Sequence, residues 1–199
     1  MMDHRAATDG VKTGRMIVVV GPSGAGKDTL MSYAAKQLQH RTDVAFVRRV
    51  ITRDGDAGGE DHEAVCEADF ARLAESGSFA VRWEAHGLHY GIPADTLQQI
   101  KQGKIVVANG SRTALSYFRS AFPEMLVINV TARPEVLAAR LEARGRESRE
   151  DILRRLQRST PPLLEEYDVV TIDNSGTVEE AGAAMIEALS SRLPLPHPR

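Results

Sequence analysis

Gly21-Pro22-Ser23-Gly24-Ala25-Gly26-Lys27 follows the apolar run Met16–Val20 directly and leads straight into a segment of helical period. A strand, a glycine-rich turn ending in lysine and then a helix are the context that a phosphate-binding P-loop requires. Glycines allow successive backbone N–H groups to converge on phosphate oxygens, the helix presents its positive end, and the lysine reaches the phosphates between which transfer occurs. The backbone of Gly21, Pro22, Ser23, Gly24, Ala25 and Gly26, with the Lys27 ammonium, is therefore the expected cradle for ATP. The usual motif continues with a Ser/Thr whose hydroxyl binds Mg²⁺, whereas this chain has Asp28 and then Thr29. A carboxylate is a hard oxygen ligand, so Asp28 and Thr29 are the candidate Mg²⁺ ligands; a second reading has Asp28 simply complementing the helix N-terminus.

Outward from this loop, short β-branched runs recur at Val44–Val50, Ile105–Ala108, Met125–Val130 and Val169–Ile172. Helical patterns alternate with them at Lys27–Leu38, Asp69–Glu75, Ala94–Lys101, Ser111–Ala121, Pro134–Arg144, Arg149–Ser159 and Thr177–Leu193. The alternation predicts an α/β fold with a parallel sheet flanked by helices. It fails over 52–92, where a Gly- and acid-rich stretch gives way to Phe79–Trp83 and Leu88–Ile92 around Gly87; this reads as a small antiparallel insert. Residues 1–15 read as a disordered leader, 16–192 as one domain, and 193–199, with three prolines, as a flexible tail.

The 199 residues carry 25 Lys+Arg against 27 Asp+Glu, a net charge of −2 that offers no broad field for nucleic acid or a membrane surface. No early apolar run approaches the ~20 residues of a membrane span. A single cysteine, Cys66, excludes an internal disulfide and suits a cytoplasmic setting; a buried inert thiol is the expectation for it. Nothing in the sequence points to a protein partner.

Lysine occupies only positions 12, 27, 36, 101 and 104, so arginine carries most of the positive charge. Eight arginines against five acids fall within 133–158. Arg144-Gly145-Arg146 joins two helical segments, so a hinged lid over about 144–160 is expected to fold its arginines over bound phosphates, with Arg144, Arg146, Arg149 and Arg155 as the functional candidates. Most of the other arginines there suit i,i+4 pairs on a solvated face. A further cluster comprises Arg48-Arg49-Val50-Ile51-Thr52-Arg53, Gly58-Gly59-Glu60-Asp61-His62 and Gly87-Leu88-His89-Tyr90-Gly91. It suits an anionic acceptor at the C-terminal edge of the sheet, although taken singly His62 and His89 read as surface residues and Trp83 as core.

GPSGAGKDT, the ITR stretch, GGED, HGLHYG, RLEARGRES and YDVVTIDNS occur in the order found in the guanylate-kinase group of P-loop kinases, which the chain resembles over nearly all of 16–189. The resemblance implies a P-loop core, an acceptor-binding insert, an arginine lid, phosphoryl transfer from ATP–Mg²⁺ and an Asn174 lying near the adenine. Guanylate kinases read guanine with a glutamate and a Ser/Thr at positions that align with Val81 and Ile92, so the base readers are missing.

GKD, Val-Ile-Thr-Arg, Gly-Glu-Asp-His, Asn109-Gly110-Ser111-Arg112 and Arg-Gly-Arg-Glu look instead like the ribose 1,5-bisphosphate phosphokinases, the phosphonate-catabolism relatives in that group. That resemblance implies a small-molecule sugar phosphate as acceptor. The expected acceptor residues are Arg49, Arg53, Glu60, His62, Tyr90, Asn109, Ser111 and Arg112; the expected catalytic residues are Lys27, on the ATP phosphates, with Arg144 and Arg155 on the transferring group. The alternatives are a nucleoside monophosphate kinase acting on GMP and a non-catalytic binding module of the same fold.

Overall fold

A computed structural model of the chain describes residues 14–53, 61–143 and 166–191. Five parallel strands form the central sheet: β1 (Arg15–Val20), β2 (Val44–Phe46), β7 (Ile105–Asn109), β8 (Leu126–Thr131) and β9 (Asp168–Asp173), in the order β2-β7-β1-β8-β9. β1 lies at the centre, and its residues Met16–Val20 are at most 1% exposed. A strand covered on both faces needs a continuous apolar run rather than alternation, which is what its sequence supplies.

One face is packed by α1 (Lys27–Gln37) and α6 (Val178–Ser190): Ile17, Val19 and Ile128 meet Leu30, Ala34, Met185 and Leu189. The other face carries Met16, Val18 and Val20 against Leu115 and Phe118 of α4 (Leu115–Ala121) and against Val81, Trp83 and Ile92 of the insert. The insert is thus anchored to the core by its own hydrophobic side. α5 (Pro134–Ala143) follows β8 and sets Leu137 and Leu141 beside the P-loop, where Leu141 approaches Gly24.

The insert sheet runs β4-β3-β6-β5, from β3 (Arg49–Ile51), β4 (His62–Ala64), β5 (Phe79–Ala85) and β6 (Leu88–Pro93). The expected hairpin around Gly87 is present, with β5–β6 and β3–β6 antiparallel, while the outer β3–β4 pair is parallel. α2 (Glu67–Glu75) and α3 (Asp95–Lys101) flank it.

Three expectations are corrected. Val44–Val50 is not one strand: the ladder with β7 ends at Val47, whose N–H donates to Val107 O, and Arg49 begins a strand of the other sheet. Apolar periodicity does not register such a crossing; the exposed Arg48 at the break does. Cys66 is exposed rather than buried, because it is the N-cap of α2, where its Sγ accepts from the Asp69 N–H at 3.4 Å. His62, which singly reads as a surface residue, is buried. Ser111–Ala121 forms as expected except that its start, Arg112–Ala114, is a 3-10 turn. The lid over 144–160 with Arg144, Arg146, Arg149 and Arg155, the Arg149–Ser159 helix, Glu60, nearly all of the leader and the whole tail lie outside the described residues.

Candidate active site

The C-terminal end of β1 releases the chain at Gly21, and α1 begins at Lys27, so the loop spans the sheet edge where ligands bind in folds of this kind. Gly26 is the N-cap of α1, with φ of 86° and no side-chain cap, which leaves the first-turn N–H groups to a ligand. Gly24 also sits at positive φ, 85°. Side chains are strained in that region, so these two positions call for glycine. The Lys27 ammonium folds back over the loop and donates to Gly21 O at 3.0 Å and Pro22 O at 3.4 Å. A lysine held by two carbonyls at the loop mouth is placed to transfer its hydrogen bonds to phosphate oxygens.

Asp28 lies in the first turn of α1, and Asn109 ends β7. They are joined by Asn109 Nδ2 donating to Asp28 Oδ1 at 2.6 Å. Asn109 is buried, Asp28 half-buried and Thr29 exposed. Among the described residues no group of three or more His, Cys, Asp or Glu could hold a metal unaided. One carboxylate beside a phosphate cradle is nevertheless the donor set that Mg²⁺ uses, since it retains waters and takes further oxygens from substrate phosphates.

Beyond β7, Arg112 Nη2 donates to Asn129 Oδ1 on β8 at 3.0 Å, passing over the end of β1. Its Nε is buried without a hydrogen-bond partner, and burial pushes the guanidinium below the ordinary arginine range. A partly buried arginine with a donor to spare can hold an anion. Ser111 Oγ is within 2.8 Å of Thr113 Oγ1 at the start of the same turn. Asn129 does not stand out in the sequence, where it reads as one polar residue in an apolar strand; its meaning comes only from Arg112.

On the insert, Arg49 is buried at 9% exposure, with its guanidinium 5.6 Å from the Trp83 ring centroid and 5.1 Å from that of Tyr90. The two rings stack at 5.1 Å and 8°. Arg53 and His62 brace each other: Arg53 Nη2 lies 3.4 Å from His62 Nδ1, and His62 Nε2 lies 3.2 Å from Arg53 O. With both ring nitrogens engaged in this way, the buried His62 supports Arg53, whose Nε is also buried without a partner. Val81 and Ile92 are register partners across the β5–β6 hairpin, 4% and 0% exposed, inside the apolar cluster that joins insert to core.

The structure therefore links Asp28 with Asn109, Arg53 with His62 and Arg49 with Tyr90. Asn174 is 1% exposed; its Nδ2 donates to Ala25 O at 2.7 Å, while its Oδ1 is buried without a hydrogen-bond partner.

The guanylate kinase family model matches residues 13–192. The ribose 1,5-bisphosphate phosphokinase PhnN of Agrobacterium fabrum is 58% identical over 174 residues, covering 87% of this chain and 95% of that protein. The protein of the same name from Rhizobium etli is 59% identical over 184 residues, covering 92% of this chain and 93% of its own. Among solved structures, guanylate kinase from Anaplasma phagocytophilum superposes with a TM-score of 0.65 at 19% identity, covering 90% of this chain and 86% of that one, a likeness of fold. The family resemblance and the fold class read from the motifs are borne out, and the chain belongs to the guanylate kinase family, in its ribose 1,5-bisphosphate phosphokinase branch.

Proposed function

We propose that the chain transfers the γ-phosphoryl group of ATP to the 1-phosphate of α-D-ribose 1,5-bisphosphate, giving 5-phospho-α-D-ribose 1-diphosphate and ADP in the cytoplasm. One observation carries the choice of acceptor: Val81 and Ile92, opposite each other and buried, offer a base no hydrogen bond. A pocket discriminates a polar substrate by pairing its polar groups, and an apolar pair does not do so for guanine. The names of the 58% and 59% identical relatives agree with this reading.

An acceptor phosphate is already ionised, so the site has no need of a general base, and catalysis rests on positioning and charge neutralisation. An oxygen of the 1-phosphate attacks the γ-phosphorus in line, and the bond to the β–γ bridging oxygen breaks with its electron pair staying on ADP. Lys27 and the loop amides hold the donor phosphates. Asp28, steadied by Asn109, would hold Mg²⁺, with Thr29 as a second candidate; the ion would supply neutralisation of the phosphate charge. Arg112, Arg49 and Arg53 carry donors for the two acceptor phosphates, with Tyr90, Asn109 and Ser111 beside them. His62 acts through Arg53. Arg144 and Arg155 are assigned to the transferring group and Glu60 to the sugar, on the sequence alone.

The test is ³¹P NMR of the purified protein with ATP, Mg²⁺ and ribose 1,5-bisphosphate. A new diphosphate on C1 together with ADP is the expected outcome, and ADP without that product contradicts it.

A further inference from the structure

Ala25 and Asn174 lie 149 residues apart and share a buried hydrogen bond, Asn174 Nδ2 to Ala25 O at 2.7 Å. Both residues are at most 1% exposed. Asn174 is itself fixed from the sheet, because its N–H donates to Thr131 O at the end of β8, also at 2.7 Å. The described peptide bonds are all trans. In a planar trans peptide the N–H points opposite to the C=O, so pinning the Ala25 carbonyl toward Asn174 turns the Gly26 N–H away from it, to the other side of the loop. A Cβ on Gly26 would collide with Asn174 Nδ2, so the glycine is required on this side as well as by its φ of 86°.

We propose that Asn174 is a positioning residue for phosphoryl transfer: it holds the Ala25–Gly26 peptide in the orientation that aims the Gly26 amide at the donor phosphates. The inference rests on the donor half of the proposed function, that the Gly21–Lys27 loop holds the phosphates of ATP, and on nothing at the acceptor side. It differs from a base-contacting role in a way that chemistry separates. Losing the Nδ2 donor leaves the Ala25 carbonyl buried and unpaired, a cost the loop relieves by turning that peptide outward and withdrawing the amide from the phosphates. The damage then falls on phosphate binding with or without a base attached.

The experiment titrates the full chain and its Asn174→Ala variant calorimetrically with ADP and with inorganic tripolyphosphate, which has no base. The expected result is a rise in Kd for both, by a similar factor of roughly tenfold or more, as for the loss of one hydrogen bond to a charged group. A folded variant that binds tripolyphosphate as the wild type does, with only ADP weakened, makes Asn174 a base contact and overturns the inference. Wild-type protein that binds neither compound contradicts the donor-site reading instead. A second measurement needs no variant: in ¹⁵N-glycine-labelled wild type, the Gly26 amide proton should move downfield as tripolyphosphate is added. If tripolyphosphate binds and that resonance stays unmoved, the inference fails.

Discussion

Asn109 Nδ2 donates to Asp28 Oδ1 at 2.6 Å, joining the end of β7 to the first turn of α1 across 81 residues of sequence. Where the P-loop pattern places a Ser/Thr hydroxyl, this chain has a carboxylate, and a neutral amide steadies it. The amide is a neutral donor, so it fixes the carboxylate's orientation and brings no charge of its own. Asp28→Asn should therefore weaken Mg²⁺ by roughly tenfold or more in the presence of ADP, since ligand charge sets affinity for hard cations. Mn²⁺ electron paramagnetic resonance reads this directly, and an unchanged metal affinity would remove Asp28 from the metal site.

Lys27 is the one side-chain cation of the loop, held at its mouth by two carbonyls. Lys27→Ala should lower kcat by roughly 10²–10³, the scale of removing one preorganised donor from developing charge, with little change in the thermal unfolding transition. Steady-state rates near wild type would show that the P-loop is not the donor site.

Arg112 has Nη2 on Asn129 and a buried Nε with no partner. Arg112→Gln should reduce kcat/KM for the sugar bisphosphate by roughly ten- to a hundredfold and leave ADP binding unchanged. Asn129→Ala should do part of the same damage by freeing the guanidinium. A variant that instead loses ADP affinity would place Arg112 at the donor.

Stability has its own pH signature at α6. Thr177 and Glu180 form a reciprocal capping box, and the Glu180 carboxylate is held below its ordinary pKa, first by the Thr177 backbone N–H and then by its hydroxyl. A carboxyl lowered in the folded state stabilises above its unfolded pKa and loses that contribution as pH falls through the folded value. Urea unfolding should find Glu180→Gln less stable than wild type at neutral pH, with the gap closing in acid. Thr177→Ala should cost about 1 kcal/mol, the usual loss of an N-cap. α6 backs α1, where the Tyr33 ring packs against Gly182 so closely that a Cβ there would collide with it.

The parallel core was legible because Met16–Val20, Met125–Val130 and Val169–Ile172 are continuous apolar runs, the mark of strands covered on both faces. The P-loop was legible because its chemistry is local, seven consecutive residues with fixed neighbours. The division of Val44–Val50 between two sheets was not, since a run of apolar residues looks the same on either side of a crossing. Asn129 and the brace by Asn174 were hidden for a different reason. Each matters through one hydrogen bond to a residue distant in sequence, and only the fold brings the partners together. His62 was named as a site residue, yet its burial and its two contacts with Arg53 became visible only once β3 and β4 were paired.

Acceptor choice is the central claim, and initial rates of ADP formation with ribose 1,5-bisphosphate and with GMP, at fixed ATP and Mg²⁺, test it most directly. Buried Val81 and Ile92 offer guanine no hydrogen bond, and an apolar pair rejects a polar group on the order of 10²-fold. The expected result is a kcat/KM for the sugar bisphosphate higher by that factor. A ratio near one, or a preference for GMP, would contradict it.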